Sequence, residues 1–398
     1  MTGSFTSTPV PAPAQGLRQE PLHLPELDGI RGIAILLVIY YHAGQFVPNG
    51  WFQHAYVLAS ILGWCGVDLF FVLSGFLITG ILLDTRESPD YFRSFYGRRA
   101  VRIFPLYWLF LLLYFHAAIP LAHHFGKWPE ISSDGEIWFW TYLTNWRAAW
   151  GYEYKNISHF WTLAIEEQFY LVWPAVVFFA RRRSIRWVCL ALIAGALLAR
   201  GWWHDLDGRP LLSATPMWVD SLALGALAAF LMRDPYWRPK LAGWTGKAAV
   251  ASLLLLLGVF WLARDSAIPT DARAPYVSTD GLTLLGVLFT CLVLRCALKQ
   301  GVRFRSLMSW RPLRRMGKYS YCIYVVHLPI SYYCIRGENL LRAWTGPRFN
   351  IALSLLTTAA CVALSYGVAL VSWNLLERRF LELKKYFPYR SGPSKICA

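Results

Sequence analysis

The stretch LDGIRGIAILLVIYYHA, residues 27–43, decides the fold, because it is apolar enough to cross a membrane and yet carries Asp28, Arg31 and His42. Ionisable side chains at bilayer depth are costly and usually face a bundle interior or a water-filled cavity. A helix advances by about 100° per residue, so the step from Arg31 to His42 returns to within about 20° of the same direction. The three side chains therefore share one face, with His42 roughly 16 Å deeper than Arg31.

The composition of the whole chain is that of a membrane protein. Of 398 residues, 56% are hydrophobic and only 16% are charged, with a mean hydropathy of +0.37. This balance excludes an ordinary soluble enzyme and predicts an all-α, polytopic membrane helix bundle of about ten transmembrane helices. The apolar runs lie at about 28–47, 57–83, 103–120, 160–180, 187–200, 214–232, 248–263, 281–298, 319–335 and 350–376.

The 39 basic residues outnumber the 23 acidic ones, and their placement follows the loops. If the N-terminus is cytoplasmic, most arginines and lysines fall on inner segments, as the positive-inside rule requires. Both termini are therefore predicted to be cytoplasmic, in a multi-pass protein of the inner (plasma) membrane. The charge excess then has a topological cause, and no nucleic-acid partner is expected.

One membrane domain accounts for nearly all of the chain. Residues 1–25 form a low-complexity run without an apolar core, which predicts a disordered cytoplasmic tail and no cleavable signal peptide. Residues 26–382 form the membrane domain, in which no internal repeat is visible. Residues 383–398 are predicted to be a basic cytoplasmic tail.

Five motifs, in order from about residue 25 to 382, resemble the acyltransferase 3 family of integral membrane O-acyltransferases. One departure is that MWVDSL, residues 217–222, lacks an arginine associated with that region, which leaves Asp220 without an assigned partner. The motifs are LDGIRGIA (27–34) with Tyr41-His42, GVDLFFVLSGF (66–76), FYGRRAVRIFPLYW (95–108), HFWTLAIEEQFY (159–170), and GKYSY (317–321) with HLP (327–329).

The resemblance implies that an acyl group, most often acetyl, moves from cytosolic acyl-CoA to a hydroxyl of a glycan or glycolipid. Acyl-CoA is then a co-substrate, and no permanently bound cofactor or metal is expected. The absence of a hydrolase-like domain after the spans argues against the subgroup that completes transfer with an attached soluble domain.

Such transfer needs a base for the hydroxyl proton and donors that stabilise the oxyanion. His42 is the predicted general base, because imidazole exchanges protons near neutral pH. The alternative is a structural histidine bonded only to a nearby backbone carbonyl. Asp28 and Arg31 are assigned to the same catalytic site, although at i,i+3 they can also pair as a structural lock at its cytoplasmic mouth.

A cluster of arginines lies where an inner loop enters the third predicted span. Arg98, Arg99 and Arg102 are assigned to the phosphates of coenzyme A, which arginine holds bidentately. The resemblance implies this role for the motif. The simpler interpretation is topological, since any inner loop collects arginine.

The fourth and fifth motifs supply the remaining site residues. One of two neighbouring carboxylates at the start of the fourth span is expected to face inward, where it would orient His42 or bind the hydroxyls of the acceptor. We assign Glu166 to catalysis, and to substrate binding Glu167, His159, Trp161 and His327.

Two other classes of function stay open at this point. A proton-coupled transporter or flippase of a lipid-linked sugar would also bury His, Arg and Glu, but predicts inverted repeats. A sensor or partner subunit would bind acyl-CoA without turnover. The acceptor is equally open, between peptidoglycan, O-antigen, exopolysaccharide, a lipid-linked sugar and a small molecule such as a macrolide.

Overall fold

A computed structural model describes residues 24–124, 135–152, 156–206, 211–266, 274 and 276–389. Every regular element in these ranges is helical and none is a strand, so the predicted all-α class is confirmed for this part of the chain. The predicted tail over residues 1–25 lies outside these ranges except for its last two residues. The predicted basic tail at 383–398 is described as far as residue 389.

The α-helices are numbered in chain order. They are α1 Pro25–Ala43, α2 Trp51–Ile61, α3 Gly66–Thr85, α4 Tyr91–Leu113, α5 Ile119–His124, α6 Glu136–Trp140, α7 Thr144–Ala149, α8 Phe160–Phe179, α9 Ile185–Leu206, α10 Val219–Met232, α11 Trp237–Leu262, α12 Leu282–Ala297, α13 Val302–Met308, α14 Arg311–Lys318, α15 Ser320–Thr345, α16 Asn350–Ser372 and α17 Arg378–Glu382. A 3₁₀ turn joins α2 to α3, and π turns join α4 to α5 and α16 to α17.

Seven helical segments in the described residues are long and apolar enough to cross a membrane. Three predicted spans fall on other helices. Helix α1 carries three charged residues, α10 is short, and α15 is interrupted by tyrosines, His327 and Pro329. The count of ten and the cytoplasmic termini therefore remain predictions. The seven segments are Trp51–Thr85, Tyr91–Leu121, Phe160–Phe179, Arg182–Trp202, Trp237–Leu262, Val277–Ala297 and Asn350–Tyr386.

The two shortest predicted spans, 187–200 and 248–263, belong to longer helices, α9 and α11. The added ends carry arginine, lysine and tryptophan, which lower the local hydropathy and hide the helix in a sequence window. Such amphipathic side chains place an apolar stem against the bundle and a polar tip at the interface.

Helices α3 and α10 pack backbone to backbone through glycine. A Cβ atom built on Gly75 would lie 2.0 Å from the Leu222 carbonyl oxygen, and one on Gly225 would lie 2.1 Å from the Val72 carbonyl oxygen. Small residues permit this close approach, which is a principal source of packing energy between helices in a bilayer. The contact fixes the position of α3 in the centre of the bundle.

Gly225→Ala is expected to destabilise the protein by about 1–3 kcal/mol, because the new methyl group would overlap backbone that cannot rotate away. Thermal unfolding of the purified protein in detergent measures the effect. Gly258→Ala is the matched control, since a Cβ there meets nothing within 4 Å and alanine favours a helix. Equal melting temperatures for the two variants would contradict the packing argument.

Glycines also bring α1 against α13 and α14. A Cβ atom on Gly29 would lie 1.8 Å from the Met308 carbonyl oxygen, and one on Gly317 would lie 1.8 Å from the Asp28 carbonyl oxygen. The charged end of α1 is therefore held directly beside the basic helix α14. This contact positions one wall of the site.

Candidate active site

A narrow cavity of about 80 Å³ lies where α1, α3, α4, α8 and α15 meet. We call it the central cavity. Apolar and hydroxyl side chains form much of its wall, and charged residues of both signs also line it. The charged lining residues are Arg31, Arg99, Arg102, Glu166 and Glu167.

Both carboxylates of α8 line the central cavity, whereas the periodicity of a helix led us to expect one. The two side chains project about 100° apart from α8, and the cavity borders both of them. Glu166 accepts a hydrogen bond from the Ser74 hydroxyl at 2.8 Å. The Tyr170 hydroxyl in turn donates to the Ser74 oxygen at 2.9 Å. This chain of hydroxyls holds the Glu166 carboxylate in a defined orientation.

Arg31 and Asp28 form the i,i+3 ion pair that their spacing predicts, with 3.9 Å between the closest nitrogen and oxygen. Arg31 also lines the central cavity, whereas Asp28 does not. Asp28 instead lines a second, larger cavity that shares Arg31, Arg102 and Tyr321 with the first. The pair therefore stands at the junction of the two cavities.

The three arginines of the third motif do not act as one cluster. Arg99 lies over the Tyr170 ring, with 4.9 Å from its guanidinium carbon to the ring centroid, and lines the central cavity. Arg102 lines both cavities. Arg98 lies 4.4 Å over the Tyr389 ring and lines neither cavity. Helix periodicity does not explain this separation, because Arg98 and Arg102 lie at i,i+4 on the continuous helix α4. Arg98 is instead placed over the Tyr389 ring, beyond the end of α17.

Three histidines from distant parts of the sequence lie side by side. The ring centroids of His42 and His327 are 5.0 Å apart, and those of His159 and His327 are 4.7 Å apart. Each ring has one nitrogen within hydrogen-bond distance of a backbone carbonyl. No group of three or more His, Cys, Asp or Glu in the described ranges is arranged to hold a metal ion.

The His42 ring has its Nδ1 atom 2.9 Å from the Val38 carbonyl oxygen. A carbonyl only accepts, so this contact requires a proton on Nδ1 and leaves Nε2 with a free lone pair in the neutral ring. The same contact is what a purely structural histidine would make. It therefore fixes the tautomer that a general base needs without proving that role.

Tyr324 separates the histidines from the central cavity. Its ring lines that cavity and lies 5.2 Å from the His327 ring and 5.3 Å from the His159 ring, measured between centroids. Its hydroxyl is 2.5 Å from the Thr162 hydroxyl. None of the three histidines lines the cavity itself. His159 and His327 are thus neighbours of the charged cavity, with the Tyr324 ring between them and it.

The predicted substrate-binding residues are divided by the structure. Glu167 lines the central cavity, while His159 and His327 lie in the histidine cluster. Trp161 packs against Trp218, with 5.2 Å between ring centroids, and does not line the cavity. An indole at i−5 from Glu166 points to a different side of α8, which explains its separation from the carboxylates.

A buried ion pair was missed by the sequence analysis. Arg200 donates to Asp220 with 2.7 Å between nitrogen and oxygen, and both side chains are 1% exposed. Arg200 also donates to the Met217 and Thr279 carbonyls. The partner of Asp220 therefore comes from α9. In the sequence Arg200 lies at the edge of an apolar run, where a loop is expected. Only its contact with Asp220 in the folded protein reveals its role.

Comparison with known proteins places these motifs in a family. The acyltransferase 3 family model, described as an acyltransferase domain, matches residues 24–366. The peptidoglycan O-acetyltransferase OatA of Listeria monocytogenes is 27% identical over 336 residues, which cover 77% of this chain and 49% of the relative. The O-acetyltransferase OatA of Staphylococcus aureus is 28% identical over 383 residues, which cover 87% and 56% respectively.

The chain spans about half the length of these curated relatives. Comparison with solved structures finds no match. The family assignment therefore rests on the sequence model, which covers most of the membrane helices described above and ends within α16.

Proposed function

The chain belongs to the acyltransferase 3 family, and from that premise we propose that it is a multi-pass membrane O-acyltransferase that moves an acetyl group from cytosolic acetyl-CoA to a hydroxyl of a cell-surface glycan. One observation carries the proposal. Polar side chains from successive family motifs, among them Arg31, Ser74, Arg99 and Glu166, converge on one cavity inside an apolar helix bundle. Such a concentration of charge within a bundle is typical of a functional site.

The acyl thioester is proposed to lie in the central cavity. Arg99 and Arg102 face it and are able to donate to the carbonyl oxygen of the acyl group as it becomes an oxyanion. Glu166, held by the Ser74 hydroxyl, lines the same cavity as the arginines. On this proposal it orients the acceptor or the base, as one carboxylate in a relay does.

His42 is the proposed general base. Its Nε2 atom takes the proton of the acceptor hydroxyl, whose oxygen attacks the thioester carbon. The tetrahedral intermediate then expels the CoA thiolate, which is protonated as free CoA. Tyr324 must turn aside during this step, because its ring lies between the central cavity and the histidine cluster.

The proposed acceptor is a cell-surface glycan, and the similarity to the peptidoglycan O-acetyltransferase of Listeria monocytogenes favours peptidoglycan. The membrane is proposed to be the bacterial inner membrane, with residues 26–382 as one membrane domain and both tails in the cytoplasm. The placement of basic residues along the sequence supports this orientation.

The test is turnover by the purified full-length chain in lipid nanodiscs, with acetyl-CoA and muropeptides as substrates. We expect free CoA to be released only when acceptor is present, together with a muropeptide heavier by one acetyl group in mass spectrometry. A transporter would move a lipid-linked sugar without releasing CoA, and a sensor would bind the donor without turnover. Either result would contradict the proposal.

A further inference from the structure

The second cavity, of about 510 Å³, is strongly basic. We call it the basic cavity. Six cationic side chains and two carboxylates line it, an excess of four positive charges. The cations are Arg31, Arg102, Arg311, Arg314, Arg315 and Lys318, and the acids are Asp28 and Glu377.

Topology alone does not account for this arrangement. The positive-inside rule asks only that basic residues lie on an inner segment. Here Leu313 and Gly317 bury one side of α14, while its basic side chains face the cavity. The Nε atom of Arg314 is buried and has no hydrogen-bond partner among the described residues. A buried guanidinium nitrogen calls for a hydrogen-bond acceptor, and an anionic ligand in the cavity would supply one.

The basic cavity also has aromatic walls. Tyr321 and Trp373 line it, and the Lys318 ammonium lies 4.2 Å from the centroid of the Trp373 ring. An aromatic face beside cations is the combination that binds a nucleotide, since the base stacks while the phosphates pair with the charges. The cavity therefore matches a phosphorylated nucleoside better than a simple anion.

The two cavities differ in size and share a border. The basic cavity is large enough for a nucleotide, and the central cavity is narrow. Arg31, Arg102 and Tyr321 line both. A ligand with a bulky charged head and a slender arm would place its head in the basic cavity and its arm in the central cavity.

We propose that the basic cavity binds the phosphorylated adenosine head of coenzyme A. Arg314, Arg315 and Lys318 hold the phosphates, Trp373 stacks on the adenine, and the pantetheine arm passes Arg102 into the central cavity. This inference rests on the proposed function, because it assumes that the donor is an acyl-CoA. It assigns most of the phosphate contacts to residues of α14, whereas the sequence predicted them for the arginines of the third motif.

Calorimetric titration of the full chain in nanodiscs with adenosine 3′,5′-bisphosphate and with CoA tests the site. For Arg314→Gln with Arg315→Gln we expect binding of both probes to weaken by at least about tenfold, since each charge-assisted hydrogen bond is lost. Arg303→Gln is the matched control, because Arg303 is an exposed arginine of the neighbouring helix α13 outside the cavity. Trp373→Leu is a second variant that keeps every charge, and we expect it to weaken the binding of adenosine 3′,5′-bisphosphate more than that of inorganic phosphate.

The kinetic counterpart compares two donors. With acetyl-CoA the arginine variant should raise KM, while with acetyl-pantetheine, which lacks the nucleotide, its kcat/KM should equal that of the unmodified protein. Unchanged affinity for both probes in a folded variant would overturn the nucleotide site and leave the acyltransferase proposal intact. If the unmodified protein binds neither probe, acetyl-CoA is not the donor, and both the proposed function and this nucleotide site are wrong.

Discussion

His42→Gln is expected to abolish acyl transfer, lowering kcat by about 10²- to 10⁴-fold, which is the usual contribution of a general base. Glutamine retains a polar group near the Val38 carbonyl but has no lone pair that takes a proton at neutral pH. The measurement is the steady-state release of CoA in the presence of muropeptides. The loss should fall on kcat, because His42 lines neither cavity in which the donor is proposed to bind.

His54→Gln is the control for this variant, since His54 is an exposed histidine of α2. Titration with CoA shows whether the His42 variant still folds and binds donor. A variant that binds CoA normally and also transfers acetyl at the normal rate would identify His42 as structural, in agreement with the carbonyl contact of its Nδ1 atom. The acyltransferase proposal would then need another base.

Arg200→Met is expected to destabilise the fold by about 3–5 kcal/mol, because it leaves the Asp220 carboxylate buried without its cation. Both side chains are 1% exposed, and Thr283 donates a further hydrogen bond to Asp220 at 2.5 Å. Thermal and denaturant unfolding in detergent measure the loss. The matched control is Arg378→Met, whose partner Glu382 is 4.0 Å away in a pair that is about two-thirds exposed. Exposed pairs contribute about 0–1 kcal/mol.

The double variant Arg200→Met with Asp220→Leu sharpens this test. Removing both charges leaves no uncompensated ion, so the double variant should be more stable than Arg200→Met alone. If Arg200→Met unfolds at the same temperature as Arg378→Met, the buried pair does not stabilise the fold. If the double variant is the least stable, the remaining contacts of Asp220, such as the hydrogen bond from Thr283, matter more than its uncompensated charge.

The features that hydropathy and helix periodicity describe were predictable from the sequence. The helical class follows from long apolar runs, and the ion pair of Asp28 with Arg31 follows from their i,i+3 spacing. Arg99 and Arg102 share a face for the same reason. Local periodicity does not separate Arg98 from them, since it lies at i,i+4 from Arg102; only its contact with the distant Tyr389 ring does.

Contacts between distant segments were not predictable from one sequence. Nothing local indicates that His159 and His327 lie against one another, or that Tyr324 stands between them and the central cavity. The partner of Asp220 was missed because Arg200 lies at the edge of the apolar run, where the hydropathy falls although α9 continues to Leu206. The basic residues of α14 were interpreted as a signal of membrane orientation, because only the three-dimensional arrangement shows that they line a cavity.

The glycine contacts of α1 have a consequence for the choice of donor. Gly29 and Gly317 hold the backbone of α1 directly against α13 and α14, which positions its charged end. The spacing from Arg31 to His42 is then set by eleven residues of rigid helix. On the proposed function, α1 serves as a molecular ruler: the pantetheine arm, whose length is fixed, carries the acyl carbonyl toward the imidazole, and a longer acyl chain, which extends beyond that carbonyl, crowds the space that the attacking alcohol requires.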